Sequence, residues 1–157
     1  MREAELAKLI ESKLEDADTK AENGQYIEST GADTMLKEAE KLYAFVLEKE
    51  ESNARALRGM GRLRLKTMQF PAAAEYLEKS IAADGSDPVA HAYLGDALVA
   101  QENHAAAAEA FGKAFELNED NARYGMKQGR ALREAGKLDE SKTVLEKVID
   151  IDDQLQY

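Results

Sequence analysis

The chain has 157 residues, of which 44% are hydrophobic and 33% charged, and its 31 acidic and 21 basic side chains give a formal net charge of −10. This composition is typical of a globular domain with a charged surface, and an acidic chain lacks the positive field needed to bind nucleic acid or an anionic membrane. There is no cysteine, which excludes disulfides and thiolate metal sites, and with only two histidines we expect no metal and no other cofactor.

The first 53 residues predict two helices separated by a loop. The N-terminal stretch MREAELAKLIESKLEDADTK has no uninterrupted hydrophobic run of signal-peptide or membrane-span length, so we expect a cytoplasmic protein. Leu6, Ala7 and Ile10 lie at helical spacing, as do Ala39 and Tyr43 in the stretch EAEKLYAFVLEKEESN. The residues between them, about 17–33, are polar and include two glycines, which predicts a long loop.

From residue 54 onward the sequence repeats with a period of 34 residues. Gly61, Gly95 and Gly129 are in step with one another. The other positions in step are Ala73, Ala107 and Ser141, and Leu77, Phe111 and Leu145. A period of 34 is the length of a helix-turn-helix repeat, and it divides this part of the chain into units 54–87, 88–121 and 122–155.

Local signals mark the ends of the predicted helices. Asp87 and Asn121 have short side chains that accept hydrogen bonds from free backbone N–H groups, so we expect them to cap helices beginning at Pro88 and Ala122. Gly136 predicts the turn between the last two helices.

The repeated residues resemble those of the tetratricopeptide repeat family. The closest copy is AHAYLGDALVAQENHAAAAEAFGKAFELNED, in which Gly95, Ala107 and Phe111 occupy the family's small, alanine and aromatic positions. The resemblance implies an all-α fold, an α-α superhelix (solenoid) of stacked helix-turn-helix repeats, with residues 1–157 as a single domain. Residues 1–53 would then form a divergent first repeat with the long loop between its helices, and an unrelated N-terminal capping helix is the alternative.

Positive charge is concentrated in the first helices of two units, where seven of the eight arginines lie in ARALRGMGRLRLK and ARYGMKQGRALRE. In each helix most of the basic side chains fall within an arc of about 80°. First helices line the concave surface in this family, so the resemblance implies a basic groove that binds acidic groups. The predicted peptide-binding residues are Arg55, Arg58, Arg62, Lys66, Tyr93, Arg123, Lys127 and Arg130.

One subgroup of the family binds the C-terminal tails of chaperones through a two-carboxylate clamp. Its positions correspond here to Arg58, Arg62, Tyr93, Arg123 and Lys127. Positive charge is kept, but both asparagines of the clamp are missing. We therefore expect recognition of an acidic segment or C-terminal carboxylate rather than of chaperone tails.

The sequence predicts a non-catalytic adaptor that binds a protein or peptide partner with an acidic segment. His91 and His104 lie at packing and turn positions, and the sequence has no Ser/His/Asp arrangement or phosphate-binding loop. The alternative is that the basic residues pair within the chain, for example with Asp96, and that the protein is a structural module that self-associates or joins a larger complex through its repeat ends.

The C-terminal end is the candidate for such assembly. The last predicted helix carries Val144, Leu145, Val148 and Ile149, and only DDQLQY follows it. Terminal repeats need a polar outer face, so we expect exposed apolar surface here, which either another copy of the chain, in a homo-oligomer formed through this end, or further sequence beyond residue 157 would cover.

Overall fold

The structure, a computed structural model, describes residues 2–27, 31–32 and 34–155. These residues form eight helices and one short antiparallel hairpin. The helices are α1 (Glu3–Asn23), α2 (Thr34–Lys49), α3 (Ala54–Lys66), α4 (Phe70–Ala83), α5 (Pro88–Ala100), α6 (His104–Leu117), α7 (Ala122–Glu134) and α8 (Leu138–Leu155). The strands of the hairpin are β1 (Tyr26–Ile27) and β2 (Gly31–Ala32). The chain folds as two compact units, Met1–Gly85 and Ser86–Tyr157.

The first helices of the three predicted repeats begin where the sequence period places them. Helices α3, α5 and α7 start at residues 54, 88 and 122. The side chains of Asp87 and Asn121 accept hydrogen bonds from the backbone N–H groups of Val89 (2.9 Å) and Arg123 (3.2 Å), so both predicted caps are confirmed. Gly136 has φ of +80°, a left-handed conformation that glycine adopts without strain, and it forms the turn between α7 and α8.

Each repeated glycine lies against the large side chain of its partner helix. A Cβ atom added to Gly95 would lie 2.5 Å from the Phe111 ring, and one added to Gly61 would lie 2.5 Å from Leu77 Cγ. Gly129 has the same relation to Leu145. The absence of a Cβ atom therefore lets the two helices of each repeat approach closely, and this contact recurs with the sequence period.

The N-terminal part of the first unit differs from the expected loop. Helix α1 continues to Asn23, so residues 17–23 of the predicted loop are helical, and the hairpin β1–β2 lies within the rest of it. Residues 28–30 and 33 lie outside the described residues. Ala7, which lies at helical spacing with Leu6 and Ile10, is exposed, whereas Ala17 and Ala21 are fully buried. The helix continues because these two alanines extend its apolar stripe at a spacing of four residues.

Each unit has its own hydrophobic core. In the first unit α1, α2 and α3 pack together around Leu14, Leu36 and the fully buried Tyr43. In the second unit α6 packs against α5 and α7, and Phe111 and Leu132 are central to the buried cluster. Burial of such side chains supplies about 1.5–3 kcal/mol each and is the main stabilising contribution to both units.

Candidate functional site

In the first unit Arg55 of α3 is bound to acidic residues of α1. Its Nε donates a hydrogen bond to Asp18 (2.8 Å), and its Nη1 donates one to Glu11 (2.5 Å). Partial burial alone would lower the pKa of the Arg55 guanidinium, but these two hydrogen bonds raise it. The positive charge of Arg55 therefore holds α1 against α3.

Lys66, also predicted to line the groove, lies at the C-terminal end of α1. Its Nζ donates hydrogen bonds to the carbonyl oxygens of Ala21 (2.6 Å), Glu22 (3.0 Å) and Gly24 (2.9 Å). The last carbonyl groups of a helix have no partner within the helix and carry partial negative charge. Lys66 donates hydrogen bonds to these carbonyl groups and places a positive charge beside them, so it acts as a side-chain cap for α1.

Arg58 and Arg62 lie near the hydroxyl of Tyr43. Burial and a hydrogen bond of 2.5 Å donated to Asp18 raise the pKa of Tyr43, and the positive charges of Arg62 and Arg58 oppose that rise. Both arginines are half-buried. They remain candidate contacts for a peptide, but a cavity of about 460 Å³ in the same unit is lined by other residues, from α2, α3, α4 and the α2–α3 turn.

In the second unit the structure brings three of the predicted residues together. Tyr93 of α5 and Arg123 and Lys127 of α7 line a groove of about 480 Å³ between these two first helices. The groove also contains Val89, Ala92, Asp96, Asn121 and Tyr124. We call this surface the α5/α7 groove.

The two basic residues of the α5/α7 groove differ in what surrounds them. Lys127 Nζ donates a hydrogen bond to Asp96 (2.6 Å) and lies 5.4 Å from the centre of the Phe111 ring, so its position is held from two sides. Arg123 is exposed, and within the described residues it makes no ion pair. The guanidinium of Arg123 therefore has hydrogen-bond donors available to a ligand.

Tyr124 is a groove residue that the sequence analysis missed. Burial, followed by the negative charge of Asp87, raises its pKa, so the phenol remains neutral and can donate a hydrogen bond. Tyr124 precedes Lys127 by three residues, a spacing that places both on one face of a helix. That spacing is the signal from which it could have been found.

Arg130, the eighth predicted residue, does not line the α5/α7 groove. It lines an adjoining cavity of about 570 Å³ with Met126, Gly129, Arg133 and Leu145, and this cavity shares Arg123 and Lys127 with the groove. Apolar side chains are exposed here: Met126 at 55%, and Ile149 of α8 at 59%. We call the surface formed by Met126, Gly129, Arg130, Arg133, Leu145 and Ile149 the terminal face.

Neither histidine belongs to a group of side chains that could hold a metal ion in the described part of the chain. His91 is buried at a packing position, as predicted. His104 begins α6 instead of lying in the preceding turn, and its Nδ1 is buried with no hydrogen-bond partner in the structure. Among residues 2–27, 31–32 and 34–155, no group of three or more acidic or histidine side chains could hold a metal ion. None of the helices found there is long and apolar enough to cross a membrane.

Comparison with protein families gives a match to the model described as tetratricopeptide repeat, over residues 36–88 and 94–155. The chain belongs to the tetratricopeptide repeat family. The family predicted from the repeated residues is therefore confirmed, and so is the predicted all-α tetratricopeptide repeat fold. No curated protein sequence matches the chain.

Solved structures with the same fold include MamA, which has a TM-score of 0.79 and 19% sequence identity over 94% of this chain and 81% of the MamA chain. YrrB, a tetratricopeptide repeat protein with an unusual peptide-binding site, has a TM-score of 0.69 and 28% identity, over 74% of this chain and 60% of its own. The O-GlcNAc transferase of Thermobaculum terrenum has a TM-score of 0.67 and 23% identity, over 80% of this chain but 22% of the transferase. Family and fold together indicate a protein-interaction or scaffold module.

Proposed function

We propose that the protein is a non-catalytic adaptor and that its α5/α7 groove binds an acidic peptide segment or a C-terminal carboxylate of a partner protein. The observation that carries the proposal is that the exposed guanidinium of Arg123 and the fixed ammonium of Lys127 line one groove together with Tyr93 and Tyr124. An arginine guanidinium matches a carboxylate with two parallel hydrogen bonds.

In the α5/α7 groove the basic side chains supply charge and the two tyrosines supply contact area. A peptide carboxylate would bind Arg123 directly, and it would share Lys127 with Asp96, which already accepts a hydrogen bond from that lysine. The two tyrosine rings supply flat, partly apolar surface at a low cost in side-chain entropy, as in many peptide-binding sites. The peptide-binding site in the name of YrrB, which is 28% identical, supports a peptide as the ligand class.

The proposal assigns different roles to the basic residues of α3. Arg55 and Lys66 bind α1, so they are assigned to the stability of the first unit. Arg58 and Arg62 are retained as candidate contacts for a longer peptide. The first test therefore concentrates on Arg123.

Display of a random library of peptides of about twelve residues tests the groove. We expect the protein to enrich peptides with aspartate or glutamate, and we expect binding of an enriched peptide to weaken as salt is raised, because salt screens exposed charges. Arg123→Glu should weaken binding about tenfold or more, since it replaces an attraction with a repulsion. Lys113→Glu is the matched control, because Lys113 is an exposed cation of α6 that pairs with Glu116 outside the groove. Enrichment of peptides without acidic residues, or equal binding by the Arg123→Glu variant, would contradict the proposal.

The second candidate function is an assembly module that acts through the repeat ends, and the exposed apolar side chains of the terminal face favour it. In that case the protein would associate with another copy or with another subunit through α7 and α8. Light scattering over a concentration series distinguishes self-association from binding to a different protein. A mass equal to one chain at every concentration would exclude association between copies.

A further inference from the structure

One repeat earlier in the same unit, the positions that correspond to Met126 and Ile149 of the terminal face are covered. Moving by one period of 34 residues, Ala92 corresponds to Met126 and Phe115 corresponds to Ile149. Ala92 and Phe115 are 6% and 5% exposed, and Gly125 of α7 lies against the Phe115 ring where α7 packs on α6. Met126 and Ile149 are 55% and 59% exposed. The terminal face therefore has the form of a site for a helix packed as α7 is packed.

The surface that such a helix would contact combines apolar and basic side chains. Met126 and Leu145 line the cavity of about 570 Å³, and Ile149 lies one helical turn beyond Leu145 on α8. Arg130 and Arg133 of α7 line the same cavity. Apolar stripes of this size, flanked by one sign of charge, bind amphipathic helices in a groove.

The charge that suits a helix on the terminal face follows from an ion pair in the repeat before. Asp96 of α5 pairs with Lys127 of α7, and the two atoms are 2.6 Å apart. One period later, the position of Asp96 is occupied by Arg130, with the opposite charge. A helix that packs on the terminal face as α7 packs on its own neighbours would therefore place an acidic residue opposite Arg130.

The helices of a second copy fit this requirement poorly. At the position of Lys127, α5 has Tyr93 and α3 has Gly59, so these first helices supply no acid opposite Arg130. The exposed side of α1 is acidic, but it carries polar residues such as Glu15 and Thr19 where an apolar stripe would be needed. Two terminal faces brought together would also place their arginines against each other, which is repulsive.

We propose that the terminal face binds an acidic amphipathic helix of a different protein, with a glutamate or aspartate opposite Arg130 and an apolar stripe over Met126 and Ile149. This site adjoins the α5/α7 groove, since Arg123 and Lys127 line both cavities, but its apolar centre at Met126 and Ile149 lies outside the groove, and it defines the partner class for the second candidate function. The helix binds in the place that the first helix of a further repeat would take.

Fluorescence anisotropy with two designed peptides tests the proposal. Each peptide has about 16 residues, long enough to form a helix, with leucines along one face and either glutamates or lysines along its flank. We expect the chain to bind the glutamate peptide about tenfold more tightly than the lysine peptide. Equal affinities, or a preference for the lysine peptide, would overturn the proposal.

Three variants locate the binding. Arg130→Glu should lower the affinity for the glutamate peptide about tenfold and raise the affinity for the lysine peptide. Loss of folding cannot produce such a reversal. Ile149→Asp should lower the affinity for both peptides, and Lys113→Glu should change neither affinity. An Arg130→Glu variant with unchanged preference would overturn the site.

Two further measurements separate this proposal from the others. Tyr93→Ala should lower the affinity for peptides selected on the α5/α7 groove and leave the affinity for the glutamate peptide unchanged. A negative result for one proposed site therefore does not imply a negative result for the other. Sedimentation of the chain without peptide should show no association through the terminal face. Dimers that Arg130→Glu or Ile149→Asp disrupt would show that a second copy is the occupant and would refute the proposal.

Discussion

Replacing Asp18 with alanine should destabilise the first unit by about 2–3 kcal/mol, although Asp18 is only one of many acidic residues in α1. Its carboxylate accepts hydrogen bonds from the hydroxyl of Tyr43 (2.5 Å) and from Nε of Arg55 (2.8 Å). It therefore joins all three helices at the N-terminal end of the chain, since these residues belong to α1, α2 and α3.

The magnitude follows from what each partner loses. Tyr43 is 0% exposed, so its hydroxyl would lose the acceptor that it has in the folded protein while its ring stays buried. A buried polar group left without a partner costs about 1–3 kcal/mol. The side chain of Arg55 is 33% exposed and keeps Glu11 as a partner, so its loss is less than about 1 kcal/mol.

Urea denaturation followed by circular dichroism measures the change in the free energy of unfolding. Asp16→Ala is the matched control, because Asp16 is 52% exposed and its contact with Lys20 is 3.7 Å long. Asp16→Ala makes the same change in helix propensity as Asp18→Ala and should lower the free energy of unfolding by less than about 0.5 kcal/mol. In a Tyr43→Phe background, Asp18→Ala should cost less than about 1 kcal/mol, since no hydroxyl is left unsatisfied. Equal costs for the two aspartates, or additive effects of Asp18→Ala and Tyr43→Phe, would refute the reasoning.

Three other predictions concern the same helices and the repeat contact. Because burial and then the hydrogen bond to Asp18 raise the pKa of Tyr43, the folded protein keeps the phenol proton at a pH where the unfolded chain loses it. The contribution of Tyr43 to stability is thus complete below about pH 10 and falls by up to about 1.4 kcal/mol per pH unit above it. In urea titrations at several pH values, the Tyr43→Phe variant should lack this decrease in the free energy of unfolding. Lys66→Ala should cost about 1–3 kcal/mol and speed amide exchange in the last turn of α1, whereas Lys142→Ala, at a side chain 76% exposed, should change neither. Gly95→Val should crowd the Phe111 ring and destabilise the second unit by about 1–3 kcal/mol, and an unchanged melting temperature would contradict the close approach of the two helices.

The parts of the fold that the sequence predicted are those determined by local interactions and by repetition. The starts of α3, α5 and α7 follow from the period, and the cap at Asp87 depends on a backbone group only two residues away. The length of α1 could not be predicted in the same way, because its continuation depends on the burial of Ala17 and Ala21 against other helices. The sequence shows those alanines but not the surface that covers them.

The candidate site was predicted in part for a similar reason. The arc of basic residues on α3 is real, but an arc shows only which side chains share a face, not what lies on that face. Arg55 and Lys66 contact parts of α1 that are more than 35 residues away in sequence, so their partners depend on tertiary packing. In the second unit the partner of Lys127 is Asp96, which the sequence analysis had named as an alternative.

The ion pair between Asp96 and Lys127 also limits how this chain could grow. Repeat proteins commonly lengthen by duplication of a unit. A second copy of residues 122–155 added after the first would place its own lysine, the equivalent of Lys127, opposite Arg130 instead of opposite an aspartate. Two cations would then meet at the new junction, whereas the junction one repeat earlier has an ion pair. Simple duplication of the last repeat is therefore disfavoured, and a longer array requires an exchange of charge at the junction.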